Sequence, residues 1–124
     1  MALVADLGYA TDESRLAQAL AALGPDERVI VADADGAVCG FASAAVVTFF
    51  HDGTRRLRLT AIAVSPSHRG RGLARSLVRE LERWGRDRSC SLLEVTSAGH
   101  RADAHAAYRA LGFAEAPLRF TRPL

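Results

Sequence analysis

The sequence predicts a mixed α/β (α+β) fold: a mostly antiparallel sheet with one central parallel strand pair, flanked by helices. Three observations predict it. Arg28 to Ala32 and Ala37 to Phe49 are apolar stretches joined by Asp33-Ala34-Asp35-Gly36, the pattern of an antiparallel hairpin. A third strand, from Leu57 to Val64, runs into a glycine-arginine turn, an amphipathic segment and a short apolar run from Leu92 to Thr96. Such a strand, helix, strand succession closes by a right-handed crossover, which sets its two strands side by side and parallel.

The elements follow in order. Residues 2 to 7 read as a helix fragment ending at Gly8, followed by a loop with Tyr9, Ala10, Thr11 and Asp12. Leu16, Ala19, Leu20 and Leu23 recur at helical spacing up to the breaker Gly24-Pro25. After the hairpin, His51-Asp52-Gly53-Thr54 is a second turn. Arg56, Arg58 and Thr60 then alternate with Leu57, Leu59 and Ala61 before the strand becomes wholly apolar at Ile62-Ala63-Val64. That change implies cover on both faces, as a ligand cleft requires. Leu73, Ala74, Leu77, Val78, Leu81 and Trp84 form one helical stripe, with Arg75, Arg79, Glu80, Glu82, Arg83 and Arg86 off it. A last helix spans about Arg101 to Leu111 and stops at Gly112; Phe113 to Ala116 and Leu118 to Thr121 are expected as two short closing strands.

At 124 residues, with no repeat or linker, residues 1–124 are read as one domain with a single core. No apolar run approaches the roughly 20 residues of a membrane span, and Met1 to Asp6 lacks the basic and apolar regions of a secretory leader. Cys39 and Cys90 are isolated and lack metal-ligand spacing, so no metal is expected and the setting is read as reduced and cytoplasmic. Charge is uneven. Residues 1–50 carry a net −5 and the remainder +7, with arginine as the only basic residue besides histidine. The asymmetry fits an anionic cofactor on the C-terminal half and a cationic second substrate on the N-terminal half.

Arg69-Gly70-Arg71-Gly72-Leu73-Ala74-Arg75 crowds positive charge where a helix begins. A helix N-terminus already bears about half a positive charge, so an anion is missing from the sequence. A phosphate or pyrophosphate held by backbone amides, with guanidiniums around it, completes it. Gly72-Leu73-Ala74 has neither the lysine nor the hydroxyl of a P-loop. A dinucleotide fingerprint needs glycine where Arg75 stands, and Glu94, although suitably far downstream, sits inside a strand.

Arg69-x-x-Gly72-x-Ala74, preceded by Ile62-Ala63-Val64 and Ser65-Pro66, resembles the acetyl-CoA signature (Gln/Arg-x-x-Gly-x-Gly/Ala) of the GNAT superfamily of N-acetyltransferases. Ala104 to Phe113 resembles that superfamily's last helix with its Tyr-x-x-Leu-Gly-Phe ending, and the likeness runs from about residue 28 to the end. The resemblance implies a GNAT-like sheet whose parallel pair splays, so that the backbone of Ile62, Ala63 and Val64 pairs with the pantetheine arm of acetyl-CoA. Arg69, Gly70, Arg71, Gly72, Leu73 and Ala74 would hold the pyrophosphate. An arm of peptide character and a diphosphate need a strand edge and an anion nest, and the local sequence offers both.

The resemblance also makes Tyr108 the acid that protonates the departing thiolate, although periodicity alone makes it a core tyrosine beside Ala104, Ala107 and Leu111. Transfer from a phenol of pKa about 10 to a thiolate whose acid lies near 8.5 requires the hydroxyl to lie beside the sulfur. Many members carry a glutamate base where this chain has Thr60. Glu94 and His105 are the substitutes, each with a second reading: Glu94 as an arginine partner, His105 as an exposed helix residue. Arg101 stands where relatives often place an asparagine against the cofactor. The first strand of the superfamily is expected to be missing, leaving the edge at Arg28 to Ala32 for a second subunit, hence a homodimer. The function implied is transfer from acetyl-CoA to a primary amine of a small molecule or peptide, with the acceptor entering beside Tyr9 and residues 10 to 13. A non-catalytic acetyl-CoA sensor is the alternative. A nucleic-acid surface of Arg55, Arg56, Arg58, Arg69, Arg71 and Arg75 is disfavoured, because net charge is modest and aromatics do not interleave with these arginines.

Overall fold

The computed structural model describes residues 13–34, 36–95, 102–114 and 122–124. The expected helix at residues 2 to 7, Tyr9, Thr96, Arg101 and residues 115 to 121 lie outside them, as do the side chains of residues 102–105. The chain runs α1 (Glu13–Ala21), β1 (Glu27–Ala34), β2 (Ala37–Thr48), β3 (Arg55–Val64), a 3₁₀ turn (Pro66–His68), α2 (Leu73–Asp87), β4 (Leu92–Val95) and α3 (Ala102–Ala110). The sheet order is β1-β2-β3-β4. β1 pairs with β2 and β2 with β3 antiparallel, whereas β3 and β4 are parallel, as the crossover requires. Among the described residues β1 stands at one edge, and whether a strand precedes it is a matter for residues outside them.

Turn chemistry sets the register. Ala34 and Ala37 are the last pair of the first hairpin, and Gly36 takes the left-handed conformation such a tight turn demands (φ +78°). In the second turn the Asp52 carboxylate accepts hydrogen bonds from the Thr54 amide (2.9 Å) and hydroxyl (2.7 Å). These bonds, the amide's foremost, hold the Asp52 carboxyl below its ordinary range.

The core lies between α2 and one face of the sheet. Leu77 and Leu81 of α2 meet Ala42 and Ala44 of β2 and Leu57 and Leu59 of β3. Small alanines on β2 admit the helix closely, and Leu57 and Leu81, 2% and 1% exposed, are the largest fully buried side chains. Burial of each such leucine stabilises the fold by about 1.5–3 kcal/mol. Gly85 continues the Leu77–Leu81 row by one turn and belongs to this contact: a Cβ there would stand 2.8 Å from Leu57 Cδ2. α1 buries none of its residues among those described, and Leu20 is 50% exposed.

At the far end of β3 from the glycine-arginine turn, Arg55 ties four segments together. Its Nε donates to the Arg88 carbonyl (2.7 Å), Nη1 to Thr48 Oγ1 (3.2 Å) and Nη2 to Asp26 (3.4 Å). Arg88 donates in turn to the Pro25 carbonyl and lies over the Trp84 ring. Among the described residues no helix is long and apolar enough to cross a membrane.

Candidate active site

β3 changes phase partway along. Its pairing with β2 passes from Ala44↔Leu59 to Ser43↔Ala61, leaving Thr60 as the extra residue of a β-bulge. Before the bulge, odd-numbered Leu57 and Leu59 face the core; after it, even-numbered Ile62 and Val64 pack against that core. Ala63, opposite Phe41, is buried as well, so the apolar stretch is covered on both sides as expected. The sequence signal had a second cause, the phase slip itself. Thr60 emerges on the face away from α2, where its Oγ1 lies 2.7 Å from Ser43 Oγ.

Parallel pairing joins Arg56 to Leu92 through Leu59 to Val95. β3 continues five residues beyond Leu59, carrying Ile62, Ala63 and Val64 past the last described residue of β4. The expected splay falls on residues that follow Val95, outside those described.

Val64 leads directly into the glycine-arginine loop. The Ser65 amide donates to the Cys39 carbonyl (2.7 Å), the 3₁₀ turn follows, and His68 Nδ1 lies 2.8 Å from Ser65 Oγ. Gly70 and Gly72 are both left-handed (φ +78° and +77°), and Gly72 is the N-cap of α2. No side chain caps this helix and its first turn holds no acid. The amides of its first turn therefore lack both an intrahelical acceptor and a counter-charge. A Cβ at either glycine would meet nothing within 4 Å. Backbone conformation, then, rather than crowding, requires glycine here, and the loop opens onto free space.

The arginines do not all converge on that space. Arg69 Nε donates to the Val64 carbonyl (3.1 Å), stapling the loop to the end of β3. Arg75 Nη2 donates to the Ala110 carbonyl (3.3 Å) in the last turn of α3, where a cation complements the helix dipole. Arg71 is exposed. The positive charge that the sequence left unexplained is thus partly answered within the fold.

The Arg75 bond brings the helix of Tyr108 to the loop. Tyr108 is half-buried, and its ring meets Phe113 edge to face, with centroids 5.8 Å apart. Residues 113 and 114 form no strand, contrary to expectation, because they close α3 instead: the Phe113 amide donates to the Tyr108 carbonyl (3.0 Å). His105 lies in the same helix, three residues before Tyr108, and its side chain is outside the described set.

Glu94 is engaged by arginines. Arg58 donates to its Oε1 through Nε (2.8 Å) and Nη2 (2.7 Å), and Arg56 Nη1 approaches Oε2 at 3.7 Å. Arg56 also lies over the Phe49 ring, 4.3 Å from its centroid. Both carboxylate oxygens are engaged by guanidiniums, so the geometry favours the arginine-partner reading. The six arginines close in sequence are dispersed: Arg55 at the far end, Arg56 and Arg58 on the sheet face, and Arg69, Arg71 and Arg75 around the loop. Among the described residues no cluster of His, Cys, Asp and Glu could hold a metal.

A strand leading into an acid-free, glycine-capped helix start, with a tyrosine-bearing helix tied alongside, is the arrangement that the resemblance to the N-acetyltransferases implies. The sequence profile described as the acetyltransferase (GNAT) family matches residues 5–113, and the chain belongs to that family. Acetyl-CoA is the cosubstrate of the family. Aminoglycoside N(6')-acetyltransferase type 1 of Salmonella typhimurium is 31% identical over 84% of this chain and 74% of its own length. Streptothricin acetyltransferase of Streptomyces lavendulae is 37% identical over 72% of this chain, which spans only 46% of that protein. Among solved structures, the aminoglycoside N-acetyltransferase AAC(6')-Iy in complex with CoA superposes with a TM-score of 0.80 at 29% identity, covering 91% of this chain and 78% of that one.

Proposed function

We infer that the protein moves the acetyl group of acetyl-CoA directly to a primary amine of a polycationic small molecule, the aminoglycosides and streptothricins named by its relatives being the first candidates. The observation that carries this reading is the bond between Arg75 and Ala110, which sets the anion loop and the Tyr108 helix against each other. Backbone amides around Gly72 to Ala74, with Arg69 and Arg71, hold the diphosphate, and Ile62 to Val64 line the pantetheine. The neutral amine nitrogen attacks the thioester carbonyl, forming the C–N bond as the C–S bond breaks. Tyr108 gives its phenolic proton to the leaving thiolate. The nitrogen loses its proton to water or to His105, since Glu94 is held by Arg56 and Arg58. A cytoplasmic setting is supported by the free thiols of Cys39 and Cys90, and a homodimer by the β1 edge, where Val31 is 57% exposed. A monomeric mass in solution would overturn the dimer.

Thermal shift with acetyl-CoA, followed by CoA release across neamine, streptothricin, spermidine and a peptide amine, tests the function. Acetyl-CoA should raise the melting temperature, and at least one amine should release CoA; no shift with acetyl-CoA overturns the assignment. Tyr108→Phe should slow turnover by about 100-fold or more with acetyl-CoA affinity nearly intact. Unchanged turnover would dismiss the acid role.

A further inference from the structure

The end of α3 is built in a way that bears on Tyr108. Gly112 is left-handed (φ +96°). Its amide donates to the Arg109 carbonyl (3.0 Å) and the Phe113 amide donates to the Tyr108 carbonyl (3.0 Å). This pair of bonds is the Schellman closure, in which the residue after the glycine folds back onto the residue at the start of the last turn. Here those two residues are Phe113 and Tyr108. Their ring planes meet at 69°. Phe113 also packs against the main core of Ala42, Ala44, Leu57, Leu59, Leu77 and Leu81, so the ring that touches Tyr108 is itself anchored to the sheet.

We propose that Phe113 is a positioning residue, bracing the Tyr108 ring so that its hydroxyl stays at one place beside the reacting sulfur. The proposal rests on the acid role of Tyr108. Proton delivery needs the hydroxyl within about 2.6–3.2 Å of its acceptor, and a rotamer change at χ1 carries a tyrosine oxygen several ångströms away. An unbraced tyrosine on a helix surface samples such rotamers on a ps–ns timescale. The helix closure alone does not require a ring: any apolar side chain after the glycine completes it. Phe113→Leu therefore keeps the closure and removes the edge-to-face contact, while Phe113→Tyr keeps both.

The chain has only two tyrosines, so ¹³C-tyrosine labelling yields two sets of signals, with Tyr9 identified by Tyr9→Phe. In Phe113→Leu the Tyr108 side chain should populate a second χ1 rotamer, read from the three-bond couplings at its labelled Cβ, and in Phe113→Tyr, whose added tyrosine is recognised as the signal absent from the parent, it should keep the parent rotamer. Unchanged χ1 populations of Tyr108 in Phe113→Leu overturn the proposal outright. With acetyl-CoA and neamine, Phe113→Leu should lower kcat by about tenfold or more with KM for acetyl-CoA unaltered, and Phe113→Tyr should restore it. In the Tyr108→Phe background the same substitution should cost nothing further, because its effect passes through the phenol. Equal losses in both backgrounds would mean a general structural role and would also overturn it. Full turnover by Tyr108→Phe alone would instead sink the acid role, leaving the χ1 measurement to judge the brace.

Discussion

Replacing Gly72 by aspartate should move stability and cofactor affinity in opposite directions relative to its neutral control, Gly72→Asn. Gly72 is left-handed, caps α2 and has open space where a Cβ would go. Asparagine and aspartate tolerate that conformation better than other residues with a side chain, so neither should cost folding more than about 1 kcal/mol. Of the two, aspartate should be the more stable by about 0.3–1 kcal/mol, because it supplies the negative charge this helix start lacks. Binding responds the other way. At about 4 Å a pair of like charges costs about 1 kcal/mol in water and about 4 kcal/mol at an effective dielectric of 20. A diphosphate presents two charges to a largely exposed site, so we expect a loss of about 2–4 kcal/mol, or about 30-fold to several-hundred-fold in Kd. Calorimetric titration with CoA, alongside urea denaturation, reads both quantities, and raising the salt should narrow the gap between the two variants. Gly36, left-handed and equally open in the first hairpin, is the matched control, and Gly36→Asp should leave affinity untouched. Equal Kd values for Gly72→Asp and Gly72→Asn would refute the placement of the diphosphate at this helix start.

Glu94→Gln should keep turnover within about threefold and lower stability by about 1 kcal/mol or less, given the partial exposure of Arg56 and Arg58; loss of about 100-fold in turnover would make Glu94 the base after all. Gly85→Ala should destabilise by about 1 kcal/mol in urea denaturation, since overpacking against buried Leu57 (about 1–3 kcal/mol) outweighs the gain in helix propensity (about 1 kcal/mol). A more stable Gly85→Ala protein would show that α2 and β3 are not in tight contact.

Most of the architecture was legible because its signals are local. The apolar run of β2, the alternation in β3, the stripe of Leu77, Val78 and Leu81, and the turns at Gly36 and Gly53 each reside within a few residues, and the structure has them where the pattern puts them. The glycine-arginine turn at the start of α2 was legible for the same reason. Long-range partnerships were not. Nothing in the spacing of Arg75 and Ala110, or of Arg69 and Val64, announces a hydrogen bond, and so charge that looked destined for a ligand turned out to be shared with carbonyls. Glu94 is the converse case: nothing in its spacing announces Arg58, and parallel pairing sets the two side by side. Phe113 and Ala114 had strand-like composition, but the closure of a helix by Gly112 took precedence over local propensity.

The bulge at Thr60 makes β3 two half-strands that obey different parity rules. The half bearing Leu57 and Leu59 is committed to the hydrophobic interior, while the half bearing Ile62 and Val64 is offset from it by the one inserted residue between them. Exchange of Thr60 for another side chain leaves that offset intact. Its deletion would join Leu59 to Ala61 in a regular ladder, with Ala61 still opposite Ser43 and Ile62 still opposite Ala42, so the inserted residue governs the bend and twist of the strand rather than which surface its downstream side chains face.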